Sequence, residues 1–226
     1  MKPLGPLGFV IIVATDDANM IQKKMPWDRP HGSTAPNRQG DRSAEPIYTA
    51  LGRALSAWEG VNAAASSLYH ALHAHVDQVE RDMAIKAFDD LPKTHDRGRM
   101  LRQAGVAFTA SNFGEMRDEA AKFKRRLKET LGRYVEWVAR RNDLAHGYVT
   151  EARSPDYSID EQPIITVYAL LPSHARTDRW HHEEPEWNYL AVEIEEFARQ
   201  FGYLDDALER LASRVTELGP YRTIAE

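Results

Sequence analysis

The residues of this chain best equipped for chemistry are Arg140-Arg141-Asn142-Asp143-Leu144-Ala145-His146-Gly147, a run of polar and ionisable side chains closed by a histidine and a glycine. A histidine titrates near neutrality, at an ordinary pKa of about 6.5, so His146 can take the proton of a ribose 2′-hydroxyl or protonate a departing 5′-oxygen. Arg141 brings a permanently charged, forked guanidinium suited to gripping phosphate oxygens while charge builds on phosphorus. Asn142 offers both donor and acceptor to hold the histidine or the sugar. Together these three residue types suffice for RNA cleavage without a metal. Asp143, and Glu59 beside Trp58 on an earlier segment, are further candidates to orient the imidazole, although Trp58 is most simply a core residue.

Spacing limits what the segment can do. Asn142 and His146 are four apart and share one face of a helix. Arg141 stands five before His146, about 140° round an ideal helix, and reaches the same substrate only through its length or a frayed last turn. The same letters also read as an ordinary helix end, with cations against the negative end of the dipole and Gly147 as a left-handed stop. Both readings stand on the sequence alone.

The elements that must position this segment follow from apolar spacing. Ile47, Leu51, Leu55, Trp58, Val61, Leu68, Leu72 and Val76 predict a long amphipathic helix over about 46–76. A second helix is expected over 78–91, ended by Pro92. Residues 93–112 suit either a loop or a short helix. Phe123, Leu127, Leu131, Tyr134 and Val138 predict the helix that carries the motif, from about 113 to 146. Ile164 to Pro172 reads as a strand or extended connector, and Leu190 to Val215 as a last long helix over about 188–216. Residues 26–46, rich in proline and glycine and nearly devoid of apolar side chains, read as a linker.

The string Arg141 to Gly147 resembles the R-x4-6-H signature of the HEPN superfamily, in which a polar residue commonly follows the arginine and a His-Gly pair closes the helix. Arg140 fits the spacing too, but Arg141 places Asn142 at the family's polar position. The resemblance implies an all-α, HEPN-like antiparallel helical bundle and covers roughly residues 46–216 of a helical domain read over 46–226; residues 1–45, an N-terminal extension and linker, and the irregular or short-strand insertion after the motif helix, at 148–188, are not accounted for by it. It further implies a metal-independent endoribonuclease with Arg141 and His146 catalytic, Asn142 and Asp143 supporting them, and no cofactor. RNA or a nucleotide would be the ligand. A second copy would be the first protein partner, the two motifs facing each other across the interface, and an antitoxin protein is a further partner if the setting is a toxin or defence system. The alternative is a non-catalytic HEPN module that binds RNA, a nucleotide or a protein through the same surface.

Composition narrows the other possibilities. Hydrophobic residues at 42% and charged residues at 28% are ordinary for a globular chain of 226 residues, so one packed body is expected. The net charge of -5 carries no global attraction to nucleic acid, so any such site must be local. A local source exists, since Lys122, Lys124, Arg125, Arg126, Lys128, Arg133, Arg140 and Arg141 crowd the motif helix, with Arg140 and Arg133 the further candidates for phosphate contact. The competing reading is a solvated face on which Glu136 pairs with Arg140. His181-His182-Glu183-Glu184 lacks the spacing of a metal site, and among His70, His73 and His75 only the first two share a face. The absence of cysteine excludes disulfides and thiolate chemistry and makes the cytoplasm the simplest compartment. The apolar run Phe9 to Ala14 is too short to span a bilayer.

Overall fold

The computed structural model of the protein describes residues 28–29, 41–113, 117–152, 167–173 and 187–218. Helix α1, Glu45–Leu72, starts on Pro46, whose missing N–H is harmless in a first turn, with acidic Glu45 at the positive end of the dipole. Helix α2, Gln78–Asp89, is capped by Asp77, whose side chain accepts from the backbone N–H groups of Val79 at 3.0 Å and Glu80 at 3.1 Å. The stretch left open between loop and helix is a full helix, α3, Thr94–Asn112. The motif helix α4 runs Arg117–His146 and the last helix, α5, Ala191–Leu218. Each buries an apolar row at three-and-four spacing: Phe123, Leu127, Leu131, Tyr134, Trp137 and Leu144 on α4, and Ile194, Phe197, Phe201, Leu204, Leu208 and Leu211 on α5.

Among the described residues these five helices and one two-stranded sheet make a mainly α architecture, as expected. The order of contacts fixes the helix directions. Trp58 meets Phe201, Gly60 faces Asp205 and Arg53 pairs with Glu195 at 2.8 Å, so numbers rise together and α1 runs parallel to α5. The expected antiparallel bundle thus contains a parallel pair, α1 and α5. On α4 the order reverses, with Trp137 against Phe197 and Glu119 near Arg214, so α4 is antiparallel to α5. It is antiparallel to α3 as well, since Gly98 faces Tyr134 and Phe108 faces Phe123. The short α2 folds back on α1, with Ser66 donating to Asp89 at 2.7 Å and Tyr69 stacked on Phe88. That hairpin supplies the extra reversal that lets α1, α3 and α5 share one direction while α4 opposes them.

Between α4 and α5 the chain makes the sheet. Strand β1, Gly147–Ala152, follows α4 without a break and pairs antiparallel with β2, Val167–Pro172, in the register Gly147 to Pro172 through Ala152 to Val167. The short-strand insertion after the motif helix is therefore present, and β1 is a strand that the helix-stop reading passed over. Gly147 is not in the left-handed region. Its lack of a side chain serves space instead, because a Cβ there would lie 2.8 Å from Leu170 Cγ and 3.0 Å from the Asp143 carbonyl oxygen. The other edge of β2 takes single-residue bridges from Asp41 at Tyr168 and from Tyr189 at Leu170. Asp41 also accepts the Ala191 N–H at 2.8 Å, satisfying a first-turn donor of α5. Part of the segment read as linker thus belongs to the folded body, and residues 30–40 lie outside the described residues.

The centre of the core is aromatic. Trp58 stacks on Tyr134 with centroids 5.8 Å apart and receives Phe201 edge-on at 5.0 Å, joining α1, α4 and α5 at one point. Replacing it by alanine should destabilise the chain by about 3–5 kcal/mol, the cost of a large core truncation. Denaturant unfolding followed by circular dichroism measures this. Tyr203→Ala, on an exposed face of α5, should change stability by less than about 0.5 kcal/mol.

Candidate active site

The helix persists through His146, so its final turn is not frayed and Arg141 stays about 140° round the axis from the histidine. Asn142, Ala145 and His146 face solvent, Leu144 faces the core, and Arg141 lies between, half-buried. The His146 ring has no hydrogen-bond partner among the described residues. Arg141 Nη1 donates to its neighbour Asn142 Oδ1 at 3.3 Å, while its Nε is shielded from solvent with no acceptor in reach. The structure therefore brings Arg141 to Asn142 and sets Asn142 one turn below His146. It does not bring Arg141 and His146 together within one chain.

Asp143 has another occupation than orienting the histidine. Arg29 reaches it from the N-terminal segment with Nε at 3.2 Å and Nη2 at 3.0 Å, a two-pronged grip on both carboxylate oxygens. Tyr189 Oη donates to Asp143 Oδ2 at 2.7 Å, and Arg140 Nη2 lies 3.3 Å from the same oxygen. Arg140 Nη1 donates in turn to Tyr189 Oη at 3.2 Å. Asp143 anchors a largely buried polar network rather than the imidazole, and Arg140, only 7% exposed, is committed to that network rather than to phosphate or to Glu136. Arg133, the other phosphate candidate, is exposed on α4 more than three turns earlier. Glu59 is exposed on α1 and accepts from Asn62, and Trp58 is core. His73 bonds the Tyr69 carbonyl at 2.9 Å, and His181 to Glu184 lie outside the described residues.

Aromatic packing holds the network in place. Tyr189 lies between Trp187, stacked at 4.6 Å, and Phe197, edge-on at 5.2 Å, and the Arg29 guanidinium sits 5.9 Å from the Trp187 ring centre. Burial, then the Asp143 carboxylate, pushes the Tyr189 hydroxyl well above its ordinary range. Burial also works against the Arg29 charge, but the carboxylate outweighs it and holds the guanidinium more firmly protonated. Sequence reasoning missed Arg29, Trp187 and Tyr189. Only the aromatic pair Trp187-Asn188-Tyr189 in a polar stretch offered a signal; nothing local marked Arg29.

Asp143→Ala should strand Arg140 and the Tyr189 hydroxyl in the interior and destabilise the chain by about 2–4 kcal/mol, somewhat less than a fully buried pair because Arg29 is partly exposed. Tyr189→Phe, which removes one hydrogen bond to a charged group, should cost about 1–3 kcal/mol. The folded chain holds the Tyr189 proton more tightly than the unfolded chain, whose phenol titrates at 10.0. Its contribution is full below that pH and is lost as pH rises above it. Burial pushes Tyr134 to about 12 in the same direction. Thermal melts from pH 8 upward should show stability falling above about pH 10, less steeply in Tyr189→Phe. An unchanged slope would remove Tyr189 from the account. Compared with family models, curated proteins and solved structures, the chain gives no match, so the HEPN resemblance stands on residues 141–147 and the order of helices around them.

Proposed function

We propose that the chain is a metal-independent endoribonuclease of HEPN type, acting as a homodimer in which the ends of two α4 helices face each other. The observation that carries this reading is the solvent face of the last α4 turn, where His146 and Asn142 stand exposed beside an Arg141 that still holds unengaged donors. In the reaction, O2′ bonds to phosphorus as its proton passes to one His146, and the P–O5′ bond breaks as O5′ takes a proton from the other. The products are a 2′,3′-cyclic phosphate and a free 5′-hydroxyl. Arg141 grips the phosphate oxygens as charge accumulates on them. A second copy resolves the 140° separation, because Arg141 of one protomer can complement His146 of its partner. A role as a toxin or defence component is the setting that goes with this chemistry.

The separation of Arg141 from His146 within one chain favours a second reading, a non-catalytic module that binds RNA, a nucleotide or a protein partner. His146→Ala should lower RNA cleavage by roughly a hundred- to ten-thousand-fold, the contribution of a positioned proton-transfer group, with the melting temperature nearly unchanged. Arg141→Lys should rescue poorly, since lysine keeps the charge without the planar fork. Cleavage should persist in EDTA, leave cyclic phosphate ends, and fail on DNA and on 2′-O-methyl RNA. If wild type and His146→Ala are equally inert on all RNAs, the module reading takes over.

Light scattering should find a dimer at micromolar concentration. A monomer that still cleaves would overturn the shared-site arrangement.

A further inference from the structure

A concentration of positive side chains lies away from the motif. Helices α4 and α5 enclose a cleft of about 590 Å³ lined by Lys122, Arg126 and Arg133 from one side and Arg210 and Arg214 from the other. Among the described residues Glu119 and Glu129 are the carboxylates of its wall, and at its α5 side Arg210 pairs with Asp206 at 3.9 Å and Arg214 with Glu217 at 3.0 Å, which leaves Arg126 and Arg133 as its unpaired cations. Glu119 is already engaged by Lys122 at 2.9 Å and Arg214 at 3.5 Å. Arg126 and Arg133 form no ion pair with any described residue, although Glu129 stands on the same helix within one turn of each. Like charges gathered from two helices repel, and the arrangement is relieved when an anion enters. The chain as a whole is acidic, at a net charge of -5, so this excess is local rather than a property of the whole surface.

The layout of the cations selects the class of anion. Along α4 they extend from Lys122 to Arg133, about 16 Å at 1.5 Å per residue, which exceeds the reach of a single phosphate. Packed helix axes lie about 8–10 Å apart, so the groove between them admits one sugar-phosphate backbone and not a duplex. The apolar floor, including Phe123 and Leu211, is buried and offers no ring for a base to stack on. Recognition would therefore be of phosphates and not of sequence.

We infer that the α4–α5 cleft is a backbone-binding groove for single-stranded RNA, which holds the substrate along the helix that ends in His146. Arg133 is about 20 Å from His146 along the axis and about 140° round it, so a strand that occupies both must wind part of the way round α4. The inference rests on RNA being the substrate of the proposed reaction.

The test is fluorescence anisotropy of the full chain with an unstructured deoxyoligonucleotide, which offers the backbone without the attacking 2′-hydroxyl, over a range of salt concentrations. The double variant Arg126→Gln/Arg133→Gln should bind roughly tenfold more weakly, and its log–log salt slope should shrink by about 1.4, near 0.7 for each single-strand phosphate that is no longer neutralised. Arg125→Gln/Lys128→Gln removes equal charge from α4 outside the cleft and should bind as wild type; an equal weakening there means diffuse attraction and overturns the groove. Displacement by inorganic phosphate as effective as by the oligonucleotide would mean a compact anion site and also overturns it. On long RNA the cleft variant should raise KM with kcat nearly unchanged, while cleavage of a dinucleotide stays at the wild-type rate. Binding that depends on Arg126 and Arg133 without any cleavage supports the groove and refutes the catalytic reading. Cleavage of long RNA with binding indifferent to both arginines refutes the groove alone.

Discussion

A single part-buried carboxylate decides how the end of the motif helix is held. Asp143 takes Arg29, Arg140 and Tyr189 at once, so the N-terminal segment, α4 and the approach to α5 share one anchor. Burying such charges gains little over an apolar alternative, because desolvation offsets most of the attraction. The gain is in geometry. Two guanidinium groups and a phenol converging on one acid leave little choice of angle between α4 and the residues before α5, and the bridge from Tyr189 to Leu170 passes that constraint to the sheet. The last turn of α4 is therefore rigid on its inner side, while the side that carries Asn142 and His146 meets solvent.

The helices were legible because their core rows are long and periodic. α3 was ambiguous for a physical reason: Gly98 and Gly105 face Tyr134 and Leu127 on α4, and a Cβ at 105 would run into Leu127. A contact face built partly of glycine lets two helices approach closely yet adds nothing to a hydrophobic count. β1 was hidden by Gly147, which in a sequence looks the same whether it closes a helix by its backbone or gives room to Leu170. Its Tyr148-Val149-Thr150 start was a readable strand signal. The parallel pairing of α1 with α5 could not be read, since an amphipathic face records that a helix packs and not in which direction.

The candidate site was legible only in part. The solvent exposure of Asn142 and His146 follows from their offset from the Trp137 and Leu144 row, which the sequence displays. The fate of Arg140 and Asp143 does not, because their partners Tyr189 and Arg29 enter from 46 and 114 residues away from Asp143. Charged residues three apart on a helix look equally suited to water, to phosphate or to each other. Only the long-range packing of Trp187 and Tyr189 separates those fates.

The pairing of α1 with α5 has a consequence for how the chain reaches this structure. Trp58 and Phe201 meet across about 140 intervening positions, so the central aromatic contact is among the most non-local in the fold and carries a high loop-closure cost. During synthesis the apolar row of α1 emerges long before its partner, and α2, α3 and α4 can cover only part of it meanwhile. Completion of the core waits for the last helix, and until then the nascent chain displays the kind of apolar stripe that chaperones hold and that promotes aggregation when they do not.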